Sequence, residues 1–85
     1  AQVLIFTKDK RAEIAEFIMG TLERGVTSWS GMGGYTHEGL TVLCVCLNKY
    51  EVASVQQATR EIDPQAFVIV QEGVTTGGNF ERHLL

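Results

Sequence analysis

Leu40-Thr41-Val42-Leu43-Cys44-Val45-Cys46-Leu47, followed at once by Asn48 and Glu51, is the stretch on which the fold turns. The eight residues are β-branched and apolar on both faces, the pattern of a strand buried on two sides. Asn48 and Glu51 then stand at the spacing of a capping box, in which each side chain satisfies the other residue's backbone N–H at a helix start. Val52, Val55, Thr59 and Ile62 recur on one helical face. Asp63-Pro64 ends that helix, because a residue before proline is pushed out of the helical region. Ala66 to Val70 reads as a closing strand, and Gly73, Gly77 and Gly78 open a polar tail that contains Phe80.

The chain before this stretch repeats the pattern. Val3-Leu4-Ile5-Phe6 is a short apolar strand, and Thr7-Lys8-Asp9 supplies polar atoms for a helix start. Ile14, Phe17, Ile18 and Leu22 form one helical stripe, with Glu13, Glu16 and Glu23 off it. Gly20 inside this helix implies close packing, and Gly25 is placed to end it in the left-handed conformation. Val26 to Ser30 alternates as a strand, Gly31-Met32-Gly33-Gly34 breaks it, and a polar loop runs to Gly39. The order is β-α-β-β-α-β. That is the split βαβ, ferredoxin-like α+β arrangement: an antiparallel sheet with both helices on one face and the first and third strands central.

Eighty-five residues hold one such domain, 1–85, and no second core. Apolar residues make up 45% and charged residues 20%, which excludes a disordered chain. A net charge of −3 gives no general attraction to nucleic acid or anionic lipid. The start, Ala1-Gln2-Val3, lacks an initiator Met and a basic leader, so a soluble piece of a longer polypeptide is the expectation.

The interior strands do not alternate. Leu43, Val45 and Leu47 face one way, and Val42, Cys44 and Cys46 the other; Ala66, Val68 and Val70 oppose Phe67 and Ile69. With helices covering one side only, Val42, Cys44 and Cys46, joined by Ala66, Val68 and Val70, would leave an apolar patch larger than monomers tolerate. The open face is therefore expected to be buried against another subunit or domain. On this reading a lysine at Val42 or Val68 yields monomers or insoluble protein.

Chemistry-bearing groups are sparse. Cys44 and Cys46, two apart on a strand, lie roughly 6–7 Å from each other, too far for a mutual disulfide. With only His37 and His83 to join them they lack a metal-ligand spacing, so no metal and no cofactor is expected. Gly31 to Gly34 could cradle a phosphate on backbone N–H groups, but it is not a P-loop, since no Gly-Lys-Ser/Thr and no helix follow. Ser28 and Ser30 have no partner histidine, and His37 beside Glu38 is an adjacency in a solvated loop. The sequence gives no sign of an enzyme.

Arg24-Gly25-Val26-Thr27, Gly31-x-Gly-Gly34-Tyr35-Thr36, Val42-Leu43 with Glu51-Val52, and above all Ile62-Asp63-Pro64-Gln65-Ala66-Phe67-Val68 resemble one family. It is domain of unknown function 2179, the cytoplasmic C-terminal domain of YitT-type bacterial membrane proteins. The resemblance runs from about Ile5 to Phe80. It implies a PII-like fold, a homo-oligomer (dimer or trimer) with sheets packed inward, and a membrane region preceding Ala1. It also implies a nucleotide or other small ligand held near the loop between the second and third strands. The implied contacts are Gly31, Gly33, Gly34, Tyr35 and Thr36, with Arg24 and Thr27 behind them. Two alternatives stay open at this point: an assembly domain that binds nothing, and an amino-acid-binding regulatory domain of the ACT type.

Overall fold

The computed structural model describes residues 1–73, 75 and 77; the tail with Phe80 and His83 lies outside them. The elements are β1 (Gln2–Thr7), α1 (Arg11–Glu16) running into a π-helical segment (Phe17–Thr21), β2 (Thr27–Met32), β3 (Gly39–Cys46), α2 (Lys49–Ile62) and β4 (Phe67–Gln71). The four strands form one sheet in the order β2-β3-β1-β4, antiparallel at every pairing. The ferredoxin-like topology expected from the sequence is the one observed, with β1 and β3 central.

Alternation along the strands divides the sheet into two faces. Val3 and Ile5 of β1 sit opposite Val45 and Leu43 of β3 and opposite Val70 and Val68 of β4. These side chains meet Ile14 and Ile18 from the first helix and Val52 and Val55 from α2 in a single core. Asn48 and Glu51 form the expected capping box: the Asn48 carboxamide oxygen accepts from Tyr50 N and Glu51 N at 2.9 Å each, and Asn48 N donates to Glu51 Oε1 at 3.1 Å. Asp63 leaves the helical region at φ −140° and closes α2, as the following proline requires.

The first helix departs from expectation at its far end. It opens after Lys10, where the Thr7 hydroxyl supplies an expected polar atom by accepting from Lys10 N at 3.2 Å. It loosens into π turns and stops at Thr21, and the left-handed residue behind it is Glu23 (φ 56°), not Gly25. Arg24 N reaches back to Ile18 O at 3.3 Å, so the widened last turn uses up chain and the reversal falls two residues early. Nor is Gly20 a close-packing site, since a Cβ there would meet nothing within 4 Å.

β2 also runs further than predicted. Gly31 and Met32 stay in the ladder opposite Leu40 and Gly39. A Cβ on Gly31 would lie 3.3 Å from Leu40 Cδ1, so the glycine relieves crowding within the strand instead of breaking it. In β4 the face assignment reverses. Val68 and Val70 join the core, Ala66 packs beside them, and Phe67 and Ile69 project from the open face. The register with β1 imposes this, because Phe67 is opposite Phe6 and Ile69 opposite Leu4. Val68 is therefore no position for an interface test; a lysine there would enter the core.

Candidate functional site: the open sheet face and the hairpin tip

Two in-register rows of side chains cross the face that carries no helix. Trp29, Val42, Phe6 and Phe67 form one, and Thr27, Cys44, Leu4 and Ile69 form the next. Phe6 and Phe67 pack at a ring-centroid distance of 5.9 Å, tilted by 53°. Gln2 extends the surface and donates through Nε2 to Cys44 Sγ at 3.4 Å. None of the strand residues on this face is charged. Phe67 is 63% exposed, Trp29 48% and Ile69 40%, while Val42 between them is already buried. Large aromatic side chains bury about 150–250 Å² each when covered, so Trp29 and Phe67 alone leave on the order of 200 Å² of apolar surface in water. Cys44 and Cys46 are free thiols, half-buried on this same face.

The predicted ligand loop is the tip of the β2–β3 hairpin. Gly33 N donates to Glu38 O and His37 N to Gly33 O, both at 2.9 Å, and Glu38 N donates to Thr36 Oγ1 at 3.2 Å. A Cβ on Gly33 would stand 2.7 Å from Thr36 Oγ1, so any side chain there displaces the Thr36 hydroxyl. His37 takes φ 60° to make the turn. Lys8, just beyond β1, pairs with Glu38 at 2.8 Å; the hydrogen bond and charge of Glu38 raise the Lys8 ammonium above its usual 10.5. Gly34 and Tyr35 point into solvent, Tyr35 at 97% exposure.

The seven predicted contacts do not converge. Gly31, Gly33, Gly34, Tyr35 and Thr36 lie at or beside the tip, whereas Thr27 opens the other end of β2, roughly 15 Å away at strand rise. Arg24 precedes Thr27 and is engaged elsewhere. Its Nε donates to both Glu51 carboxylate oxygens at 3.2 and 3.3 Å, with the two side chains only 13% and 12% exposed. Arg24 thus braces the capping glutamate of α2. Asp63 is a second brace, accepting from Thr7 Oγ1 at 2.6 Å and from Gln65 N at 3.1 Å, which ties the end of β1 to the α2–β4 turn.

Sequence reasoning missed one feature. A shallow groove of about 200 Å³ runs between Thr59 and Arg60 of α2 and Pro64, Ala66 and Val68. Beside it the buried Thr59 hydroxyl has no hydrogen-bond partner among the described residues. Thr59 reads in the sequence as one position of an apolar stripe, and nothing there signals an unsatisfied hydroxyl. Among the described residues no three His, Cys, Asp or Glu side chains gather as a metal site.

Comparisons with known proteins place the domain in context. The profile of DUF2179, described as an uncharacterized protein conserved in bacteria, matches residues 24–76. The UPF0750 membrane protein YvjA of Bacillus subtilis is 35% identical over 80 residues, covering 93% of this chain and 28% of that protein. YxkD of the same organism, also a UPF0750 membrane protein, is 38% identical over 64 residues, covering 75% of this chain and 23% of its own length. The chain thus spans about a quarter of the membrane proteins it matches, and among the described residues no helix is long and apolar enough to cross a membrane. Among solved structures, a DUF2179 protein from Eubacterium ventriosum superposes with a TM-score of 0.65 at 29% identity, over 84% of this chain and 99% of that one. A protein of unknown function from Pediococcus pentosaceus shares the fold at a TM-score of 0.67 and 10% identity, over 89% and 94% of the two chains.

Proposed function

This chain belongs to the DUF2179 family, and on that footing we propose that it is the self-association module of a bacterial membrane protein, lying on the cytoplasmic side. The open sheet face packs on the same face of a second copy. One observation carries the reading: an uncharged apolar surface crosses all four strands with Trp29, Phe67 and Ile69 exposed on it. Covering on the order of 200 Å² of it is worth roughly 5 kcal/mol per subunit before the cost of association. Having no charge, the face suits an identical face, with no ion left buried and unpaired. Free Cys44 and Cys46 accord with a reducing compartment.

A regulatory role through a small ligand at the hairpin tip has less support. Of the Gly31 to Gly34 amides expected to cradle a phosphate, Gly33 N is already donated to Glu38 O, and Gly31 and Met32 lie in the β2–β3 ladder. Tyr35 is what remains in favour of that role, and a nucleotide-induced thermal shift lost in Tyr35→Ala is the result that would support it.

Sedimentation of the chain beside its Trp29→Lys variant tests the assembly reading. Trp29 lies on an edge strand and is half exposed, so the lysine leaves the core intact. The reading expects the variant to sediment as a smaller species at equal concentration. Identical profiles for the two proteins refute it.

A further inference from the structure

We infer that β4 is a second contact surface, pairing edge to edge and antiparallel with β4 of another copy so that two sheets become one of eight strands. This does not rest on the face-to-face packing above. Among the described residues β4 pairs with β1 on one side only, so alternate N–H and C=O groups along its outer edge have no strand partner there. Natural edge strands are blunted by charge, proline, bulges or a covering element. Phe67-Val68-Ile69-Val70-Gln71 has no charge, no proline and no glycine. β2, at the opposite edge, carries Gly31 within the strand, which weakens it as a template.

Self-complementarity points to a second copy of this chain as the occupant. An antiparallel pair centred on Ile69 sets Ile69 against Ile69 of the other copy, Val68 against Val70, and Phe67 against Gln71. Residues directly opposite across such a pair point to the same side. Val68 and Val70 then continue the helix-covered side, and Phe67, Ile69 and Gln71 continue the open one. A one-residue slip would set Val68 against Ile69 and turn one copy's helices onto the other's open face. Of the registers that avoid this, the one centred on Ile69 pairs all five residues. It also places Glu72 opposite Ala66, so no like charges meet.

Hydrogen exchange of the β4 amides, followed over a concentration series of the 85-residue chain, tests the inference. Amides directed at β1 are protected at every concentration. The alternate, outward amides are expected to exchange freely in dilute protein and to slow by about 100-fold or more as the protein associates. Face-to-face packing leaves those edge groups open, so the two surfaces separate experimentally. Trp29→Lys is expected to keep the concentration-dependent β4 protection, whereas Ile69→Lys, which sets two ammonium groups against each other, abolishes it. Outward amides that stay fast in associated protein overturn the edge pairing and leave the face reading untouched. Outward amides protected equally at all concentrations also overturn it, since the chain then covers its own edge, and so does a chain that remains monomeric.

Discussion

Removing the Glu51 carboxylate strikes two supports at once. Its Oε1 accepts from Asn48 N in the capping box, and both of its oxygens receive Arg24 Nε. Losing a capping interaction costs about 1 kcal/mol. Breaking a fully buried ion pair from one side costs about 3–5 kcal/mol; with the two side chains about one-eighth exposed, a share of that is returned by solvent. Glu51→Ala is therefore expected to lose about 2–4 kcal/mol. A domain of this size has roughly 4–13 kcal/mol in total, so the loss is a large share. Glu51→Gln preserves the shape of the cap and removes the charge, and should fall between the two. The assay is urea unfolding by circular dichroism at one fixed protein concentration, so that association does not enter the comparison. A double-mutant cycle of Glu51→Gln with Arg24→Met isolates the pair and should return a coupling of about 1 kcal/mol or more. Additive losses, with coupling under about 0.3 kcal/mol, would refute the bracing role assigned to Arg24.

Three further outcomes follow from the same geometry. Asp63→Ala removes the acceptor of Thr7 Oγ1 and Gln65 N and should cost about 1.5–3 kcal/mol in the same urea experiment, with Asp63→Asn milder. The Lys8 ammonium, observed by NMR, should titrate above 10.5 and move back toward that value in Glu38→Gln; the Lys8–Glu38 contact is held below 10.5 and is lost as pH rises through the higher folded-state pKa. Gly33→Ala forces the Thr36 hydroxyl away from Glu38 N and should cost about 0.5–1 kcal/mol by thermal unfolding, with chemical-shift changes confined to the hairpin.

The β-α-β-β-α-β order was legible because its punctuation is chemical: Asn48 and Glu51 start a helix and Asp63-Pro64 stops one, by side-chain and backbone rules local to the chain. What escaped depends on partners distant in sequence. Which side of β4 faces the helices is set by its register with β1, and Phe67-Val68-Ile69-Val70 is apolar at every position, so alternation could not decide it. Gly31 marks a break in the sequence, yet in the sheet it makes room for Leu40 across the strand pair. Gly25 looked like the helix stop, but π turns and the tie from Arg24 N to Ile18 O put the reversal at Glu23. Arg24 and Thr27 entered the candidate site through a family resemblance. The structure sets them at the far end of β2 from the hairpin tip and gives Arg24 to Glu51.

The face-to-face assembly is tested most directly by the two thiols already on the surface in question. Cys44 and Cys46 are partly open in a single copy and would be enclosed between stacked sheets. Their alkylation rate in the native chain should fall as protein concentration rises through the association range, and Trp29→Lys should restore the dilute rate. A rate that does not change with concentration would mean that this face stays in contact with water.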